Sequence, residues 1–142
     1  MSFKLKSTAV AATSVLHLKD SAENLLFADG AKMKQPVEVV VFGPGSKEFQ
    51  QAQAKVNSRA VRRLQKKGKF EQSADEKLAE QADYLADITQ GWNNIDASEF
   101  DGKTGRALSL AIYSDPSIGF IADQVSEHVK DWANFSPASS TT

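Results

Sequence analysis

The chain contains no cysteine and only two histidines, His17 and His128. The first absence excludes disulfides, thiolate nucleophiles and cysteine metal sites, and it is compatible with a reducing compartment. The second leaves little from which to build a metal centre. Neither histidine has a ligand-type companion at a suitable spacing, so each reads as a packed or half-exposed ring. Long hydrophobic runs are also missing. At the amino terminus Lys4 and Lys6 precede Ala9-Val10-Ala11-Ala12, but this apolar stretch stops after four residues at Thr13. That is too short for the core of a secretory signal and far too short to span a bilayer. Met1 to Val15 is therefore expected to form a loose arm or an edge strand. No serine stands in a recognisable nucleophile elbow, so a non-enzymatic protein without cofactor is expected.

What is present is the composition of an ordinary globular domain, with 41% apolar and 25% charged residues in 142 positions. Chains of this size bury enough surface to hold a core without covalent or metal staples. One domain over residues 1–135 is expected, followed by a small polar tail, Ser136 to Thr142, read as disordered. The net charge of −1 conceals a strong segregation. Residues 47–69 carry eight basic and one acidic group, for +7, whereas residues 70–142 carry four basic and thirteen acidic, for −9. Such asymmetry points to electrostatic pairing inside the fold or to separate faces for separate partners.

Local patterns predict an α+β fold, with a small amino-terminal antiparallel sheet packed on a mainly helical carboxy-terminal portion of about four helices. Val15 to Lys19 and Leu25 to Phe27 are rich in strand formers, the second followed by the turn signal Asp29-Gly30. Val37 to Phe42 is the clearest strand, entered at Pro36 and closed by Gly43-Pro44-Gly45. Ser46 then caps a helix to about Lys67, with Gly68 beyond its end. Its stripe of Phe49, Ala52, Val56, Ala60 and Leu64 is expected to pack on the sheet. Ser73 to Glu76 is a capping box for a second helix through about Thr89, with Leu78, Ala82, Leu85 and Ile88 inward and Gly91 as its stop. A turn-rich loop is expected from Gly91 to Gly105, and a third helix over Arg106 to Tyr113. Asp115-Pro116 starts a fourth, whose apolar face is Ile118, Ile121, Ala122, Val125, Val129 and Trp132.

Two glycine-rich fragments resemble phosphate-binding loops only superficially. Gly102-Lys103-Thr104 has Ala97 where the pattern needs glycine, no strand leading in, and Glu99 and Asp101 beside it. Gly43-Pro44-Gly45-Ser46 joins a strand to a helix start, but Pro44 removes one amide that would face an anion, so a capped turn is expected. The acidic residues Asp75, Glu80, Asp83 and Asp87 read as a solvated helix face.

The most informative feature is the basic helix. Lys55, Arg59, Arg62, Arg63 and Lys66 recur at spacings of three and four and so form one ridge, which Lys67 and Lys69 extend. Three readings are open: a pairing with the acidic helix of the same chain or plain solvation, an acidic protein partner, or nucleic acid phosphates. Nucleic acid is disfavoured by the net negative charge and by the lack of aromatic residues within the basic run.

The order of features from Val41 onward resembles that of a known family. Val41-Phe42-Gly43-Pro44-Gly45-Ser46 leads directly into a basic helix beginning Glu48-Phe49. An acidic helix ends at Ile88-Thr89-Gln90-Gly91-Trp92, and Tyr113-Ser114-Asp115-Pro116 opens a last helix that finishes in Trp132-Ala133-Asn134-Phe135. Over most of residues 37–135 this resembles the small tail assembly chaperones that long-tailed bacteriophages and prophages encode between the major tail protein and the tape measure protein. The resemblance implies a protein of the host cytoplasm that binds the tape measure protein, keeps it soluble and promotes tail tube assembly. It also implies absence from the mature virion, and in many members a frameshifted extension that contacts the tube protein. On this reading the basic ridge, Phe100 in the polar loop and Phe120 opposite the last helix's apolar face are candidate partner contacts, and self-association suits a coating protein. The alternatives from other classes are a structural tail or head-completion component retained in the virion, and a nucleic-acid binder using Arg59, Arg62, Arg63 and Lys66.

Overall fold

A computed structural model describes residues 2–29, 34–67 and 72–136 of the chain. The Val-rich segment forms strand β4, Glu38–Phe42, with Val39 and Val41 fully buried. It is central because apolar residues on both faces need cover on both sides. Strand β1, Thr13–His17, pairs antiparallel with it from Thr13 opposite Phe42 to His17 opposite Glu38. On the other edge lies β5, Thr89–Asn93, also antiparallel, giving the order β1-β4-β5. A separate two-stranded ribbon joins β2, Phe27–Asp29, to β3, Lys34–Pro36. The turn expected at Gly30, the helix stop at Gly68, the charge of Lys69 and the tail from position 137 lie outside the described residues.

The helices are α1, Lys47–Lys67; α2, Ala74–Asp87; α3, Gly105–Ser114; and α4, Gly119–Lys130. The chain is thus an α+β protein whose helices lie mostly in its carboxy-terminal part. Helix α1 starts where the Phe49 amide donates to Ser46 Oγ at 3.1 Å, while that hydroxyl donates to the Gly43 carbonyl at 2.7 Å. Helix α2 starts at Ser73, whose Oγ accepts from the Glu76 amide at 3.2 Å. Replacing Ser73 by alanine leaves that amide unpaired and is expected to cost about 1 kcal/mol, read as a small fall in the thermal midpoint with unchanged helix content. Asp115 caps as expected, its Oδ1 accepting from the Ser117 amide at 2.9 Å, but it opens a short 3-10 turn, Pro116–Ile118, before α4 begins.

Several expectations are corrected. Helix α2 stops at Asp87, and Thr89 to Asn93, read as a helix end and a loop, is a strand, because β4 offers it an unpaired edge. Gly91 stands opposite Val40 in that ladder and terminates no helix. Helix α1 packs on α2 rather than on the sheet, with Phe49 and Tyr84 edge to face at 6.2 Å. Leu64 and Leu78 remain exposed near the far end of this helical pair, and Trp132 turns to solvent. Phe135 takes the place expected for Trp132 and is completely buried.

One connected core runs from Leu18 through Val39, Val41, Leu85, Ile88 and Val125 to Phe135. Its polar groups are matched. Ser14, buried on β1, faces His128 Nε2 at 2.9 Å, and burial pushes the His128 pKa below its ordinary value against the opposing charge of Asp131. Thr89 Oγ1 lies 2.7 Å from both the Leu85 carbonyl, to which it donates, and the Tyr113 hydroxyl. The Trp92 indole donates to Ser109 Oγ at 2.9 Å. No helix among the described residues is long and apolar enough to cross a membrane.

Candidate functional site

The basic ridge meets the acidic helix. Lys55 Nζ lies 3.2 Å from Asp83 and 3.1 Å from Asp87, and Arg59 lies 2.7 Å from Asp83. Arg63 pairs with Glu80 one turn nearer the start of α2. From the other side Arg106, at the start of α3, contacts Asp83 and donates to Asp87 from Nε at 2.9 Å. Asp83 is therefore the node at which three helices are tied. Burial alone would raise its pKa, but hydrogen bonds from Arg106, Lys55 and Arg59 outweigh that cost and hold the carboxyl down to about 2. The same contacts raise the Arg106 pKa further above its already high value.

This arrangement sorts the predicted ridge into two groups. Lys55, Arg59 and Arg63 face α2, and Asp83, Asp87 and Glu80 are half-buried partners rather than a solvated face, because the +7 segment and the acidic helix fold against each other. Arg62 and Lys66 point outward, and no ion pair to either occurs among the described residues. The ridge is therefore not one continuous binding surface. Phe100 and Phe120 are half-buried instead of exposed. Phe100 folds over an apolar pocket of about 380 Å³ with Leu26, Trp92, Ile112 and Ile121, and Phe120 lies on a different trough between α4 and the end of β1.

A third concavity is larger than these two. The groove between α1, α2 and α4 encloses about 590 Å³. Its floor is Phe49 and Val56 from α1, Tyr84 from α2 and Val129 from α4. Burial pushes the Tyr84 phenol up to about 12, so its hydroxyl stays protonated and able to donate. Lys77, Glu80, Asp123 and Lys130 stand among the lining groups, giving an apolar base with walls of both charge signs. Gln72 contributes a buried Nε2 without a hydrogen-bond partner among the described residues. An unpaired buried amide is costly.

No family model, curated protein or solved structure matches this chain. The functional reading therefore rests on the residues and their geometry.

None of the candidate partner contacts Lys55, Arg59, Arg62, Arg63, Lys66, Phe100 and Phe120 lines this groove. Phe49 and Val56 belong by their spacing to the packing stripe of α1. The signal available was the excess of that stripe over its cover: α1 extends 21 residues while α2 extends 14, so a shorter partner leaves part of the longer helix's apolar face open. Among the described residues no group of three or more His, Asp or Glu side chains is placed to hold a metal ion.

Proposed function

We propose that this chain is a binding protein that takes an amphipathic helical segment into the groove between α1, α2 and α4, and that it acts as a phage tail assembly chaperone for a tape measure protein. The observation that carries the reading is the groove itself. An open trough with an aromatic and aliphatic floor and mixed-charge walls suits a helix laid in with its apolar face down. Reversible coating of a long helical client needs many such contacts of modest strength, which a shallow amphipathic groove supplies better than a deep pocket. The choice of client is supported by the feature order from Val41 to Phe135, which resembles that of tail assembly chaperones. The major tail protein is a second partner on this reading, the compartment is the host cytoplasm, and the mature virion lacks the protein.

The test is coexpression with the tape measure protein encoded beside this gene, followed by co-purification and measurement of soluble client. Wild-type chain is expected to hold the client in solution. Val56→Glu, which places a charge on the groove floor at a half-buried position, is expected to lower apparent affinity about tenfold or more. Arg62→Glu with Lys66→Glu, on the outward face of α1, is expected to leave binding unchanged. A client that neither binds nor gains solubility, together with this protein in purified virions, would overturn the chaperone reading in favour of a structural component.

A further inference from the structure

The trough that holds Phe120 borders the helical groove, sharing Asp123 and Glu127 with it, and has a distinct chemistry. It encloses about 510 Å³, with Leu16 and Phe120 among its apolar lining. Around them stand five carboxylates, Asp20, Glu23, Asp123, Glu127 and Asp131, against one lysine, Lys19. Asp20 is held anionic by the Asn24 and Ala22 amides, which donate to it and lower its pKa despite some desolvation. Asp123 and Glu23 have no ion pair among the described residues. The trough thus combines half-buried apolar side chains with a concentrated negative field, a combination that selects a ligand bearing adjacent apolar and cationic side chains.

The same chain carries such a ligand. Ser2 to Ala9 is exposed throughout, and Phe3 and Leu5, at 71% and 77% exposure, are the most exposed large apolar side chains described. Lys4 and Lys6 alternate with them, and no other charge occurs between Ser2 and Leu16. The root of the arm is fixed: the Ala11 amide donates to the Phe135 carbonyl at 2.6 Å, and Val10 packs on the core. Beyond it, the 3-10 turn Leu5–Thr8 has no buried residue. The arm therefore holds Phe3, Lys4, Leu5 and Lys6 away from the body with their apolar groups unpartnered.

We propose that the amino-terminal arm of one copy docks in the acidic trough of a second copy, Phe3 and Leu5 lying against Leu16 and Phe120 while Lys4 and Lys6 meet the carboxylates. Arm and trough are different surfaces, so the contact either joins copies head to tail or closes a dimer by reciprocal exchange of arms. It requires no client, so its test runs on the purified full chain alone and its outcome is independent of tape measure binding.

Sedimentation velocity over a range of protein concentrations is expected to show association at low salt that weakens at about 0.5 M salt, where the screening length falls to a few ångström. Lys4→Glu with Lys6→Glu is expected to weaken association about tenfold or more, and Asp123→Lys with Glu127→Lys to do the same. Mixing these two charge-reversed proteins is expected to restore association between them, since the native basic arm of the trough variant then meets the native acidic trough of the arm variant. Phe3→Ala with Leu5→Ala is expected to weaken association at every salt concentration. Thermal midpoints of the arm variants stay at the wild-type value, because these side chains are exposed in the monomer. A chain that is monomeric at all concentrations, or association that survives both charge reversals, overturns the proposal. So does a mixture that fails to associate.

Discussion

Replacing Phe135 by alanine is expected to destabilise the fold by about 3–5 kcal/mol, the range for removing a fully buried aromatic ring. For a chain of this length that corresponds to a fall in thermal midpoint of roughly 10–20 °C. The ring is completely buried although it stands at the end of the last described turn, Trp132–Phe135. It lies 5.6 Å from the His128 ring, and its backbone carbonyl accepts the Ala11 amide, so the carboxy-terminal turn closes over the root of β1. Its position depends on a glycine. A Cβ at Gly43 would come within 2.6 Å of three Phe135 ring atoms, closer than atoms can approach. Gly43→Ala is accordingly expected to cost about 1–3 kcal/mol by overpacking. Because the two positions share one volume, the double variant Gly43→Ala with Phe135→Ala is expected to cost less than the two single losses combined. Urea unfolding of the four proteins measures this coupling. Strict additivity, or a loss below 1 kcal/mol for Phe135→Ala, would show that the ring does not fill this space.

That pair also marks where sequence reading stops. The α+β class, the Val-rich strand β4 and the starts of α1, α2 and α3 were legible, because each depends on residues within a few positions of one another. Ser46, Ser73 and Asp115 are caps whose chemistry is local. Strand β5 was not legible: Thr89-Gln90-Gly91-Trp92-Asn93 has weak alternation and a central glycine, and only the open edge of β4 makes it a strand. Phe135 fills the place expected for Trp132 because the space at Gly43, remote in sequence, admits a phenyl ring. For the ridge, pairing with the acidic helix was one of three readings. Spacing along α1 gave the row of cations, but the facing row on α2 was visible only after the helices were laid together. Arg106 gave no signal at all, since its carboxylate partners belong to another helix. The groove escaped notice for a related reason: periodicity reports which residues share a face, and only neighbouring elements decide how much of that face is covered.

Asp83→Asn is expected to lower stability by about 2 kcal/mol at neutral pH, with a larger loss for Asp83→Lys. The substitution keeps the shape and one acceptor for Arg106 but removes the charge on which Lys55, Arg59 and Arg106 converge. Asp87 then remains as the shared counter-ion for Lys55 and Arg106. The full cost of an uncompensated buried charge is not reached, because Lys55 and Arg106 are each 45% exposed and water screens them. The sign of the pH dependence follows from the direction of the shift. The folded carboxyl titrates at about 2 against an ordinary value of 3.8, so the unfolded chain takes up the proton first as the solution is acidified. The stabilisation is complete above the ordinary value and is lost as pH falls through the folded one. Urea unfolding of wild type and Asp83→Asn should therefore show a constant gap from pH 7 down to about 5, closing as pH approaches 2. A gap that persists undiminished at the acid end would mean that packing of the side chain, not its charge, joins the three helices. Salt separates the two causes a second way: the ionic contribution shrinks as the exposed ends of Lys55 and Arg106 are screened, whereas a packing contribution does not.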